Sequence, residues 1–250
     1  MLSYAFTGQC NETIHRPGLI EKLIGQKFDV MISENFDFCG HGIFHLIKAK
    51  SFISVSSAGI FDYQAYEVGV PLVPSALPGT FGGIMKFDGS ITERIWNLYG
   101  LKCAFDFFGS LEHHMNKLFR SLYGPNFPTI SETTAQSAFV FTNTDPFVDF
   151  ARPSLRKVVD LGGIGVRESN PLDKKWQDIL SLRKRSVLFS FGSVARSFLM
   201  PEAHKKAIVQ AMSNFPDVTF IWKYERDNDT HAREVPNIIL SPWTPQTDLL

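Results

Sequence analysis

Apolar positions along this chain switch repeatedly between helical and strand spacing. After Arg16-Pro17, residues Leu19, Ile20, Leu23 and Ile24 recur at helical intervals and Gly25 follows them, which predicts a short helix. Phe28 to Ser33 is apolar nearly throughout, the pattern of a buried strand in a parallel sheet. A second helix is predicted over Cys39 to Ala49, with Ile43, Phe44 and Ile47 on one side, and a further strand over Phe52 to Ser56. Strand, helix and strand at this spacing form a βαβ unit and predict an α/β fold.

Gly69 to Gly89 is rich in Pro and Gly and predicts an exposed loop. Ser90-Ile-Thr-Glu93 then has the form of a capping box, in which the hydroxyl and the carboxylate each accept an otherwise unpaired backbone N–H. Behind it Ile95, Leu98, Phe105, Phe108, Leu111, Met115, Leu118 and Leu122 keep helical spacing up to Tyr123-Gly124-Pro125, with Gly100 and Gly109 as points where two helices could divide. Ala138 to Asn143 predicts a strand. Leu161-Gly-Gly-Ile-Gly165 and Glu168-Ser-Asn-Pro171 change the character of the chain and set a domain boundary, giving domains over 1–167 and 171–250.

The second domain starts a new series: a strand over Val187 to Ser190 and a helix with Pro201 at its first position. Ala203, Ala207, Ile208, Ala211, Met212 and Phe215 are the expected buried stripe of that helix. Strands follow at Val218 to Lys223 and Ile238 to Leu240, and a helix begins at Gln246. Three strands and one full helix would leave one sheet face and one edge bare, so both domains are expected to be incomplete.

Composition narrows the classes. Phe occurs 23 times, so aromatic burial carries much of the core. Lys plus Arg and Asp plus Glu are 25 each, leaving no net field to draw nucleic acid, and no nucleic-acid partner is expected. Cys10, Cys39 and Cys103 are odd in number and lack metal spacing, so neither a disulfide framework nor a zinc site is indicated. The amino terminus lacks the basic and apolar regions of a signal peptide, and Pro71, Pro74 and Pro78 rule out a spanning helix in the long uncharged stretch Val68 to Met85. Sequons stand at Asn11-Glu-Thr13 and Asn228-Asp-Thr230, of consequence only in a secretory lumen.

The strongest chemical signal is Ser241-Pro-Trp243-Thr-Pro245-Gln246-Thr-Asp248-Leu-Leu250. It follows a predicted strand, where α/β folds place ligands. An indole held between two prolines offers a rigid face for a nucleobase, and the Gln246 amide is donor and acceptor at once. As residue types alone, the run also fits a loop anchor. Likewise Phe191-Gly192-Ser193 fits a tight βα turn, and Glu34 a solvated loop residue. His41 and His45 are i, i+4 on a predicted helix without a third ligand, and His113 and His114 decorate another helix.

Trp243-Thr-Pro245-Gln246-x-Asp248-Leu-Leu250 resembles the opening of the signature of UDP-glycosyltransferases, in particular the animal UDP-glucuronosyltransferases. Other segments agree in order: Phe28-Asp29-Val30, Ser131-Glu132-Thr133, Phe141-Thr-Asn143, Leu161-Gly162-Gly163-Ile164, Val187-Leu-Phe-Ser-Phe-Gly192-Ser193 and the nematode-like Phe220-Ile-Trp222-Lys223-Tyr224. The likeness covers nearly the whole chain. It implies two Rossmann-like domains in the GT-B arrangement, the first receiving a small lipophilic acceptor and the second a UDP-sugar, which is a co-substrate; no other cofactor and no metal are expected. Trp243 would stack on uracil, Gln246 would contact the nucleoside, and Gly192 and Ser193 would lie near the diphosphate.

The resemblance also implies inverting displacement at the anomeric carbon, with a histidine base oriented by an acid. Glu34 takes the acid's place, where many members have Asp; Asp37 is the fallback. None of the seven histidines lies in a setting that matches the base. The His-Gly-Gly run expected to grip phosphate and the membrane anchor are also not found, so no appreciable turnover is expected from this polypeptide alone. The family implies the lumenal side of the endoplasmic reticulum membrane and leaves room for oligomers with full-length relatives. A non-catalytic binding or regulatory role is the alternative. An unrelated nucleotide-binding protein is disfavoured because no Gly-x-Gly-x-x-Gly follows any predicted strand.

Overall fold

Short apolar runs rich in Val, Ile and Phe pair as parallel strands in two separate sheets. The computed structural model describes residues 2–82, 89–226 and 235–250. These fall into two units, Met1–Ile164 and Gly165–Leu250. The end of the Pro/Gly loop (residues 83–88) and the sequon at Asn228 lie outside the described residues.

In the first unit, β1 (Val30–Glu34), β2 (Ser51–Ser56), β3 (Phe139–Thr142) and β4 (Val158–Asp160) form an all-parallel sheet in that order. The helices are α1 (Leu2–Ile14), α2 (Leu19–Gln26), α3 (Cys39–Ile47), α4 (Asp62–Val68), α5 (Ile91–Tyr123) and α6 (Ile130–Ala135). Their common core joins Ile14, Phe38, Tyr63, Phe108, Leu111, Met115 and Phe119, all buried. Stacked rings run through it, Phe61 on Phe108 at 5.4 Å and Phe119 on Phe127 at 5.2 Å, which is where the high phenylalanine content goes.

Four expectations for this unit need correction. The run from Phe28 was expected to be a buried strand, but Val30 and Ile32 are 46% and 60% exposed because β1 is the edge of the sheet. Cys10 and Cys39 form a disulfide that ties α1 to the start of α3 inside the core. Three cysteines without regular spacing could not reveal it, because the pairing depends on how α1 folds back. Gly100 and Gly109 do not divide the long helix: α5 runs unbroken for 33 residues. At Gly100 a side chain would meet the Phe81 backbone carbonyl at 2.5 Å, so this glycine permits close packing and does not end the helix. The buried stripe of α5 also begins later than its spacing suggests, since Ile95 and Leu98 are exposed.

The capping box at Ser90 is present: Glu93 N donates to Ser90 Oγ at 3.3 Å, and Ser90 N donates to Glu93 Oε2 at 2.6 Å. Thr129 and Glu132 repeat the device at α6. Two turns into α5, buried Asn97 accepts from Gly79 N at 2.9 Å and donates to Pro74 O at 2.6 Å. The described part of the Pro/Gly loop is therefore strapped to the helix.

In the second unit, β5 (Arg185–Phe189), β6 (Val218–Lys223) and β7 (Ile238–Ser241) are parallel in that order, with α7 (Lys174–Ser181), α8 (Glu202–Ser213) and α9 (Gln246–Leu249). Asp173 caps α7 by accepting from Trp176 N at 3.0 Å. Pro201 precedes α8 rather than opening it. The stripe expected on α8 holds at Met212, which is buried, and Ile208, which packs on the core, but Ala203, Ala207 and Ala211 are exposed and Phe215 is 55% exposed, while Lys205 is buried and Val209 packs on the core. Alanines fit either face of a helix, so the larger side chains decide which one turns inward. Among the described residues no helix is long and apolar enough to cross a membrane.

Candidate functional site

Glu34 is the last residue of β1, and its carboxylate is held entirely by backbone. Oε1 accepts from Asn35 N at 3.2 Å and Oε2 from Ser57 N at 3.0 Å, so the side chain bridges the carboxyl ends of β1 and β2. Behind it, fully buried Asn35 accepts a short hydrogen bond from Ser54 Oγ and, through its backbone oxygen, one from Gln64 Nε2 at 3.2 Å. Among the described residues no histidine hydrogen-bonds Glu34. Asp37 is occupied differently: its Oδ1 accepts from Cys39 N at 3.0 Å at the start of α3.

His41 is fully buried between Phe38 and Phe52, with ring centroids 5.6 and 4.8 Å away, and both ring nitrogens lack hydrogen-bond partners. Burial, aided by neighbouring His45, pushes its pKa down to about 3, so it is neutral in the physiological range. His45 bonds Thr133 Oγ1 through Nε2 at 2.7 Å. Among the described residues no group of three or more His, Cys, Asp or Glu side chains is placed to hold a metal.

In the second unit the candidate residues leave the carboxyl edge of one sheet. The turn after β5 holds Gly192 at φ 78°, a left-handed conformation that glycine adopts freely, and Gly192 and Ser193 are both exposed. Lys223, the last residue of the central strand β6, is buried and donates from Nζ to Gly192 O at 2.7 Å, fixing that turn from below. Across the register Lys223 pairs with Ser241, whose Oγ donates to Trp243 O at 2.7 Å. The Gly192 and Trp243 loops thus flank one strand end. Trp243 is 69% exposed, Thr244 behind it is buried, and Gln246 is exposed at the first position of α9. Asp248 is engaged by the start of the same unit. It takes a two-pronged ion pair from Arg167, at 2.7 and 2.8 Å, and Asn170 N at 2.7 Å, and the guanidinium draws its pKa down to about 2.

A sequence family described as "UDP-glucoronosyl and UDP-glucosyl transferase" matches residues 1–250. This chain belongs to that family. Among its relatives, a Caenorhabditis elegans protein named as a UDP-glucuronosyltransferase, ugt-56, is 35% identical over 246 residues, 97% of this chain and 46% of that protein. UDP-glucosyltransferase 2 of Dactylopius coccus is 28% identical over 229 residues, covering 90% of this chain and 43% of its own. The chain thus spans about half the length of the curated relatives it matches. The crystal structure of the kitacinnamycin glycotransferase aligns with a TM-score of 0.54 at 10% identity, over 98% of this chain and 55% of that one. The fold is that of GT-B glycosyltransferases.

Within this UDP-glycosyltransferase chain, sequence reasoning missed Lys223 and Asn35. Lys223 left a trace, a lysine ending an otherwise apolar strand, while Asn35 left none because its burial comes from β2 and α4 across the sheet.

Proposed function

We propose that the chain carries a uridine-binding half-site and an acceptor-binding half-site of a UDP-glycosyltransferase that inverts configuration at the anomeric carbon. The unit ending at Leu250 takes the UDP-sugar. Trp243 stacks on uracil, Gln246 bonds the nucleoside, and the Gly192–Ser193 turn offers backbone N–H and hydroxyl donors to the diphosphate. The first unit takes a small lipophilic acceptor along the Pro/Gly loop and α5, with Glu34 orienting the histidine that deprotonates the acceptor hydroxyl. The donor is the only co-substrate in this reading and no metal takes part. The observation that carries it is the exposed indole of Trp243, clamped by Pro242 and Pro245 at the edge of a parallel sheet.

Because no described histidine reaches Glu34, the chain alone binds without appreciable turnover. The Cys10–Cys39 disulfide supports a lumenal, oxidising location. The test is titration with UDP. Trp176 and Trp222 are buried, which leaves Trp96 in the first unit and Trp243 as the exposed indoles, and the Trp243 contribution reports the site. UDP and uridine quench the chain, adenosine does not, and Trp243→Ala abolishes the response. Quenching that survives Trp243→Ala defeats the assignment, as does a steady yield of glycoside from UDP-sugar and phenols.

A further inference from the structure

The most telling unused feature is a guanidinium in the first unit that, among the described residues, makes no hydrogen bond and has one ion-pair partner, at 3.7 Å. Arg152 lines a cavity of about 270 Å³ at the carboxyl ends of β3 and β4. Its side chain is 27% exposed, its Nε is buried without a hydrogen bond, and its nearest carboxylate, Asp149 Oδ2, lies at 3.7 Å, beyond hydrogen-bond range. Among the described residues this guanidinium makes no hydrogen bond. A mostly buried arginine in that condition calls for a ligand atom, since each unmet buried donor costs about 1–3 kcal/mol.

The rest of the lining narrows the chemistry. Asp160 Oδ1 already accepts from Thr142 Oγ1 at 2.6 Å and Thr144 Oγ1 at 2.7 Å, which orients the carboxylate and leaves Oδ2 open. Ile60, Val70, Phe150 and Val158 supply apolar wall. An anion would satisfy Arg152 but confront Asp149 and Asp160, and a cation would confront Arg152. A hydroxyl accepts from the guanidinium and donates to a carboxylate at once. Two further depressions share Thr144 and Asp149 with the cavity.

We propose that this cavity binds a small neutral diol, with hydroxyls on Arg152, Asp149 and Asp160 and an apolar body against Ile60, Val70 and Phe150. Every polar group invoked lies within residues 142–160, so the proposal is independent of the uridine site and of α5, and it touches the Pro/Gly loop only at Val70. An aromatic diol and a pyranose present the same hydroxyl pair, and the experiment separates them.

Ethylcatechol and hexyl glucoside are titrated into the full chain while the arginine Nε–H region of the NMR spectrum is followed, with Arg152→Lys identifying the Arg152 resonance by its loss. At least one diol shifts that resonance at millimolar concentration, and the stronger of the two names the source. Ethylbenzoate and ethylbenzene bind ~10-fold more weakly, as does the better diol to Arg152→Gln. If neither diol moves the resonance, or if ethylbenzoate binds as tightly as the diols, the proposal is wrong; the resonance shift on the unaltered chain decides even where Arg152→Gln fails to fold.

Discussion

The Glu34 end of the first sheet and the carboxyl edge of the second are built on opposite plans. In the first unit Glu34 is held by two backbone N–H groups, with buried Asn35 behind it and a disulfide in the adjoining core. In the second, Gly192, Ser193, Trp243 and Gln246 are all exposed, with Lys223, Ser241 and Thr244 buried beneath them. Around Glu34 the first edge is braced by groups bonded to each other, whereas the named residues of the second lie exposed to solvent. A side chain that serves the fold spends its hydrogen bonds internally, and one that serves a ligand keeps them free.

That contrast can be broken most severely at the disulfide. Replacing Cys10 and Cys39 together by Ser should destabilise the first unit by ~3 kcal/mol, with no change in UDP quenching, as read by urea unfolding followed in parallel with the titration. A loss of UDP binding in that variant would show that the two edges are not independent.

A smaller effect is expected from Glu67, which shares Ser131 with Glu112: Ser131 Oγ lies 2.8 Å from Glu67 Oε1 and 2.7 Å from Glu112 Oε2. Burial first, and the Glu112 charge as well, push its pKa up to about 8. An acid raised in the folded state is protonated in both states below the unfolded value near 4.5, so its stabilisation is complete there and is lost as pH rises toward 8. Thermal melts of Glu67→Gln should therefore lose part of the decline that the parent chain shows between those limits, on the order of 2 kcal/mol. Equal slopes for parent and variant would remove Glu67 from the account.

The smallest effect sharpens the second edge. Trp243→Ala should change unfolding free energy by less than about 0.5 kcal/mol, because the indole is largely exposed. A loss several times larger would mean that the indole serves packing rather than a ligand.

Local pattern made much of this legible. β6 begins and ends where its apolar run does, and the Ser90 capping box is formed by the two residues whose spacing announced it. Gly192, Ser193, Trp243 and Gln246 stand out because they sit in short ordered phrases, and the structure leaves all four exposed at the ends of strands of one sheet. The failures share one cause. Which face of α8 turns inward, whether β1 lies at an edge, and whether Gly100 breaks or packs are all decided by elements distant in the chain.

By itself, then, the sequence determined the periodicity of its elements, the parallel α/β class and the family, because these follow from spacings of a few residues. Only the tertiary structure decided that Cys10 meets Cys39, that Lys223 holds the Gly192 turn and that Arg152 Nε is buried without a hydrogen bond. Pairings of that kind depend on chain closure over tens of residues, and no local pattern encodes which distant side chain will arrive.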